Sequence, residues 1–336
     1  MCFYKMLTLK RHKDNVELCK LRQGKKLIPV YWHPVRNESL RMAVTNLSGF
    51  DTELFRDRFQ VSEKQSNELL DNLNAGTTPE GPLQKTFFKM KRFISDSLYN
   101  EMNLVGGTQE LVIPFPEGKN TWPEHAIYAG ASGSGKTYDA ISRILNNLNG
   151  PEKNRRRFTI VSNEWNRDKT LEPLKAEKYR NFVNGIDVSE TSLENSEHDT
   201  PQQYFDKEVL PFFENASEGK IIFCDDPLDS CCSAQLRQII NRAIRTFRHK
   251  SVGIQFVLHN IRSGIWSSTA SSNCKYFVLF PRSQRGKVSN YLTDEMGCTL
   301  REAREHVHDF GASERAMYVR LFSPQCLINR KKIRLL

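Results

Sequence analysis

No run of apolar residues in these 336 approaches the roughly 18 that a membrane-spanning helix needs, so the chain carries no membrane segment and is expected to be soluble. Eight cysteines are present, at positions 2, 19, 224, 231, 232, 274, 298 and 326, yet none falls in C-x-x-C spacing. That excludes a zinc ribbon, and Cys298 with His306 and His308 fits no common zinc site. With no secretory leader, reduced thiols in a cytosolic or nuclear setting are the expectation. Internal repeats and low-complexity tracts are missing too, which excludes a repeat array.

Carboxylates are the scarcer charge. Against 49 Lys and Arg there are 39 Asp and Glu, giving a formal net charge of +10 and a pI near 9.2, a balance that suits an anionic partner. The shortage is uneven. In the first 41 residues Lys5, Lys10, Arg11, Lys13, Lys20, Arg22, Lys25, Lys26, Arg36 and Arg41 face only Asp14, Glu17 and Glu38. This arm is a phosphate-seeking candidate, although Leu27 to Trp32 reads as a strand more readily than as a stacking surface. The tail from Arg330 to Arg334 is a second basic cluster, open to a nuclear-import signal, a DNA contact or a solvated end.

What is present narrows the chemistry. Residues Gly130, Ala131, Ser132, Gly133, Ser134, Gly135, Lys136 and Thr137 spell G-x-x-x-x-G-K-[ST], a loop that handles a nucleoside triphosphate. Glycines let successive backbone N–H groups converge on the β- and γ-phosphates, and the following helix aims its positive end at them. Lys136 adds a mobile charge, and the Thr137 hydroxyl is placed to ligate Mg²⁺. Such a pattern arises by accident in roughly one or two chains per hundred of this length, so its flanks decide. His125 to Ala129 suits a buried strand. Beyond the loop, Ala140, Ile141, Ile144, Leu145 and Leu148 recur at helical spacing until Asn149-Gly150-Pro151 stops the helix.

An apolar strand ending in acids follows at Ile221 to Asp226. Asp225 is the natural partner of Mg²⁺ and Asp226 is placed to orient or deprotonate the attacking water, while Pro227 and Asp229 leave a plain turn open. A further strand, Val252 to Asn260, ends on polar residues. Asn260, with His259 second, is the candidate to touch the γ-phosphate or the lytic water, or else to cap the next turn toward Gly264. Strands also read at 157–162, 275–280 and 316–322, and Thr299 with Glu302 spells a capping box. Strands alternating with helices predict a mostly parallel sheet with helices on both faces.

Between the acidic and polar-tipped strands lies a helix with an apolar face of Leu236, Ile239, Ile240, Ala243 and Phe247. Its other face carries Arg237, Arg242, Arg245 and Arg248, open to three readings: a solvated face, a nucleic-acid contact, or an arginine supplied to an adjacent subunit's nucleotide. The basic segment 281–287 could grip DNA or simply join strand to helix. Residues 183–204 are polar and turn-rich and are expected to loop out.

Together, Gly130 to Thr137, Ile160 to Ser162 with Asp168 and Leu171, Ile221 to Asp226, and Arg248-His-Lys250 leading through Phe256 to Asn260 and on to Asn273-Cys-Lys-Tyr-Phe277 resemble the genome-packaging ATPases of double-stranded DNA viruses, within the FtsK/HerA group of P-loop motors. The resemblance spans about residues 110 to 325. It implies an α/β P-loop NTPase (RecA/ASCE-like) with a basic, partly helical N-terminal region: an arm over 1–45, a helical segment over 46–109 and the motor over 110–336. It further implies ATP and Mg²⁺ as cofactors, Lys136 and Thr137 on phosphate and metal, Asp225 on the metal, Asp226 as catalytic acid, and Asn260 as sensor. Many relatives carry Glu at the second acid, one methylene longer than Asp226. Such motors take an arginine from a neighbouring subunit, for which Arg245 and Arg248 are the candidates. The implied partners are double-stranded DNA, further copies in a homo-oligomeric ring, and capsid or portal-like vertex proteins. The implied setting is the host cytoplasm, in a virus factory, or the nucleus, with the virion a further destination. The resemblance thus points to an ATP-driven translocase packaging a viral genome. A cellular or mobile-element motor or helicase on this fold, and a nucleotide-switched DNA-binding or assembly protein with slow turnover, stand as alternatives.

Overall fold

The computed structural model describes residues 3–9, 11, 13, 15–36, 56, 59–75, 77–90, 101–103, 109–115, 122–261 and 273–336. Lys10, Arg41 and the turn from 262 to 264 lie outside the described residues. The chain forms two compact units, 1–112 with 332–335, and 113–331 with Leu336.

In the first unit, β1 (Phe3–Thr8), β2 (Val16–Gln23), β3 (Lys26–Arg36) and β5 (Gln109–Val112) form an antiparallel sheet in the order β1-β3-β2-β5. Gly24, at φ +58°, turns β2 into β3. Residues 27–32 are therefore strand, and Tyr31 is buried in this unit's core with Leu18, Cys19, Leu21 and Val30. Helix α1 (Glu63–Ala75) follows, and β4 (Glu101–Asn103) pairs antiparallel with β14 (Lys332–Leu335).

In the second unit the strands are β6 (His125–Ala129), β7 (Arg157–Ser162), β8 (Val183–Asp187), β9 (Lys220–Asp225), β10 (Gly253–Leu258), β11 (Tyr276–Leu279), β12 (Met317–Arg320) and β13 (Cys326–Ile328). Their order is β13-β12-β11-β6-β10-β9-β7-β8, parallel from β11 to β8 and antiparallel at β12 and β13. Helix α2 (Lys136–Leu148) follows β6, α3 (Ser233–Thr246) follows β9, and α4 (Arg285–Met296) and α5 (Leu300–Ser313) separate β11 from β12. Every residue of β6, β10 and β11 is buried, the mark of a sheet covered on both faces.

Alternation along the strands sorts that cover. Ile127, Cys224, Phe256 and Phe277 join Leu236, Ile240, Ala243, Val288 and Leu292 in one core, under α3 and α4. Tyr128, Tyr276 and Tyr318 face the other way, where Arg143 of α2 lies beneath them. Arg143 and Glu124 form a buried bidentate pair, and Arg143 Nε and Nη2 also donate to the carbonyls of Ile113 at 2.7 Å and Pro114 at 2.8 Å.

Residues 183–204 do not loop out. Val183–Asp187 is an edge strand parallel to β7, and helical turns follow at Glu190–Glu194 and Pro201–Tyr204. The physical reason lies in Gly185, whose absent Cβ leaves the space that the Trp165 indole fills; any β-carbon there would sit 1.7 Å from the ring. Tyr204 then donates to the Asp187 carbonyl at 2.6 Å, and a π turn over Phe205–Val209 buries Phe205 and Val209. Within the basic segment 281–287, Arg285 already opens α4. The capping box at Thr299 and Glu302 is formed in both directions.

Candidate active site

The phosphate-loop strand β6 does not touch the acidic strand β9; β10 lies between them. Parallel register then brings three strand ends level, since Ala129 pairs with Leu258 and Cys224 with Phe256, which leaves Gly130, Asp225 to Asp226 and His259 to Asn260 together at the carboxyl edge. Gly130 N donates to Leu258 O at 3.1 Å, fixing the loop's first residue to β10. A Cβ on Gly130 would meet Ser134 Oγ at 2.8 Å, whereas Gly133 and Gly135, at φ +71° and +96°, face open space. Those two positive φ values turn the loop's amides inward, and Gly135 caps α2.

Five of the residues named from sequence, Lys136, Thr137, Asp225, Asp226 and His259, are in direct or near contact. Thr137 Oγ1 donates to Asp225 Oδ1 at 2.9 Å. Lys136, only 5% exposed, donates to the Ala131 carbonyl at 3.1 Å, and its Nζ lies 3.4 Å from His259 Nδ1. His259 Nε2 in turn stands 3.3 Å from Asp226 Oδ1 and 3.4 Å from Asp229 Oδ2. Asn260 is held elsewhere: its Oδ1 accepts from Lys287 Nζ at 2.8 Å. The structure thus brings His259 to Lys136 and Asp226, and links Asn260 to α4. Asp229 joins this cluster through the turn Pro227–Asp229 that the sequence had offered as the alternative reading of the acids.

Burial sets the electrostatics. It raises Asp225 to about 7, helped by the neighbouring Asp226 charge and opposed by the Thr137 hydrogen bond. Asp226 is raised as well, by burial, against the pull of His259 and Lys136. Burial lowers Lys136, while Asp226 and Asp225 draw it back. A pocket in which two carboxylates and an ammonium are all held from their ordinary values is one that an added cation and polyanion would relax. Asp226 also holds φ +43°, ψ 56°, an uncommon backbone for a residue with a Cβ.

The donor set fits Mg²⁺. Thr137 and Asp225 place one hydroxyl and one carboxylate side by side, and among the described residues no cluster of three or more metal-binding side chains occurs. Mg²⁺ takes few protein oxygens and completes its shell with phosphate and water. Ser134 Oγ is buried without a hydrogen-bond partner, a polar atom that a phosphate oxygen would satisfy. Beside the loop lies a cavity of about 310 Å³ lined by Tyr138, Phe280, Arg282, Arg315 and Tyr318 among others. Tyr138 projects from the first turn of α2 and is 66% exposed, a flat ring beside the phosphate loop that the loop motif does not announce.

Arg245 and Arg248 lie away from this edge. Helix α3 runs back from the acidic strand, so its last turn meets the start of β10, and Arg248 lines a cavity with His125, the first residue of β6. One strand length, roughly 20 Å, separates them from the loop of their own chain.

Phosphate loop, inserted strand β10 and acid-tipped β9 define the class: a P-loop NTPase fold of the RecA/ASCE-like kind. No protein-family model matches the chain, and no curated protein matches it. Among solved structures, the genome packaging NTPase B204 of Sulfolobus turreted icosahedral virus 2 is similar at 13% identity, over 63% of this chain and 95% of its own, with a TM-score of 0.38. The cytoplasmic domain of the type VII secretion ATPase EccC of Thermomonospora curvata is similar at 11% identity, over 70% and 28%, with a TM-score of 0.37. The conjugation coupling protein TcpA of pCW3 is similar at 10% identity, over 94% and 76%, with a TM-score of 0.36. No helix of the described residues is long and apolar enough to cross a membrane.

Proposed function

We propose that this chain is an ATP-driven translocase of double-stranded DNA that loads a viral genome into a preformed shell, acting as a ring of identical subunits. The observation that carries it is the meeting of Lys136, Thr137, Asp225, Asp226 and His259 at one edge of the sheet. The run from Arg248 to Phe277, with its resemblance to packaging motors, supports the choice of DNA and of packaging.

In this reading the loop amides and Lys136 hold the β- and γ-phosphates, and the cavity beside Tyr138 takes the nucleoside. Thr137 and Asp225 would hold Mg²⁺, which when bound would supply positive charge against the phosphates. Asp226 orients the attacking water and accepts its proton, a role suited to a carboxylate raised by burial. His259 steadies Asp226 and Lys136, and Asn260 passes the state of the site to α4 through Lys287. An arginine of the neighbouring subunit, Arg245 or Arg248, completes the site and links each turnover to subunit movement. A capsid or portal-like vertex would receive the DNA.

The test is ATP turnover without nucleic acid, with single strands and with long duplex, beside Lys136→Ala. Stimulation by duplex that vanishes in the variant is expected. Unaltered turnover in Lys136→Ala would sink the nucleotide assignment, indifference to duplex would sink the motor, and separation of a forked duplex would turn packaging into unwinding.

A further inference from the structure

The cavity of about 310 Å³ beside the phosphate loop is bordered by two carboxylates and three arginines, and most of these are engaged with the chain itself. Asp139, only 7% exposed, is held by the Tyr318 hydroxyl at 2.5 Å and by Arg330 Nη2 at 3.6 Å. Glu314 lies 3.7 Å from Lys331 Nζ. Arg282 Nε and Nη2 donate to the carbonyls of Gly311 at 2.7 Å and Ala312 at 3.0 Å, in the last turn of α5, where a helix leaves its carbonyls unpaired. A Cβ on Gly311 would meet Pro281 Cβ at 3.0 Å, so the glycine lets this turn close on the residues beside it.

Two lining groups are not engaged in this way. Tyr138 and Arg315 are both exposed, and neither has a hydrogen bond or ion pair among the described residues. A phenol ring and a guanidinium are both flat, and each stacks on the face of a heterocycle. Phe280 and Ala316 add apolar lining. Adenine and guanine differ at their edges and share their faces. Reading an edge takes acceptors and donors held free for it, and both carboxylates and Arg282 are already taken.

We propose that the base is bound by its face, stacked on Tyr138 with Arg315 beside it, and that the substrate class is therefore the purine nucleoside triphosphates, ATP and GTP alike. The inference rests on the reading that this cavity takes the nucleoside, and it sets which nucleosides qualify. Purines outrank pyrimidines because two fused rings make more contacts with the phenol than one. A site that reads an edge by hydrogen bonds rejects the wrong partner by roughly 10⁴-fold. Stacking tolerates the exchange, since every base has a face to offer.

Calorimetric binding of ADP, GDP, CDP and inorganic tripolyphosphate, each with Mg²⁺, to the full chain tests this, alongside Tyr138→Ala and Tyr138→Phe. The wild type should bind ADP and GDP within about tenfold of each other, and CDP more weakly. Tyr138→Ala should weaken ADP and GDP by about ten- to hundredfold, while Tyr138→Phe keeps both. Tripolyphosphate has no base and should bind all three proteins alike, which also shows that the Ala variant is folded with its loop intact. A preference above about tenfold between ADP and GDP would overturn binding by the face in favour of an edge contact. CDP bound as tightly as ADP would overturn the purine class, and equal losses in Tyr138→Phe and Tyr138→Ala would assign the hydroxyl instead of the ring. Tripolyphosphate binding lost in Tyr138→Ala would mean that the ring shapes the loop, and the stacking role would fall. A wild type that binds tripolyphosphate as tightly as ADP would remove the base from this cavity and leave the phosphate loop standing. Binding of neither would remove the nucleotide reading itself.

Discussion

At the residue scale, Asp226 combines a left-handed backbone with a raised carboxyl next to His259. Asn tolerates that backbone, so Asp226→Asn should fold and bind ATP yet lose hydrolysis; loss of nucleotide binding, read by calorimetry, would show that the two acids divide their work differently. His125 gives a pH prediction. Its pKa is near 6.5 unfolded and about 4 folded, so its contribution is intact above pH 6.5 and is lost as pH falls toward 4. Urea unfolding at pH 6.8 and 4.5 should therefore cost the wild type about 2–3 kcal/mol more than His125→Gln, whose amide oxygen can still accept from Ile254. The meeting of the phosphate loop with Asp225 and Asp226 was legible because the loop motif and an acid-tipped apolar strand each set a residue type at a fixed offset. The contacts of His259 were less so, since which of two adjacent polar residues turns inward depends on strand register and on Lys287 claiming Asn260.

At the element scale, strands buried on both faces announced themselves as apolar runs, and helices by their periodicity and caps. The edge strand β8 did not. Val183-Asn-Gly-Ile-Asp187 is polar and glycine-bearing, and only its pairing with β7 and the Trp165 ring over Gly185 make it a strand. The pairing of Arg143 with Glu124 was equally hidden, because charged residues nineteen apart give no periodic signal. Removing one partner leaves a buried charge, so Glu124→Ala should destabilise the second unit by about 3–5 kcal/mol in denaturant unfolding. A change below about 1 kcal/mol would mean that the carbonyls of Ile113 and Pro114 suffice for Arg143.

At the scale of the whole molecule, the described part of the basic arm is a sheet with a buried Tyr31, which sets Lys5, Lys20, Arg22, Lys26 and Arg36 on strands. Charge sums alone could not have shown this. If a neighbour's arginine completes each site, turnover per subunit should rise with protein concentration and level off as rings form, and Arg248→Ala mixed with wild type should lower the rate more than in proportion to its share. Strict proportionality would place the whole site within one chain.

Tyr318 donates to Asp139 at 2.5 Å and Arg330 approaches the same carboxylate at 3.6 Å, so the first turn of α2 is riveted to the antiparallel end of the sheet. Its other flank is joined to β9 and to the tip of β10 through Thr137 and Lys136, the very groups that a triphosphate would claim. Nucleotide arrival would then unclip one side of the helix and leave the other clamped, and a helix hinged along one side swings. Occupancy of a small site would thereby free the side of α2 that faces β9 and β10, while Tyr318 and Arg330 keep their hold on its first turn.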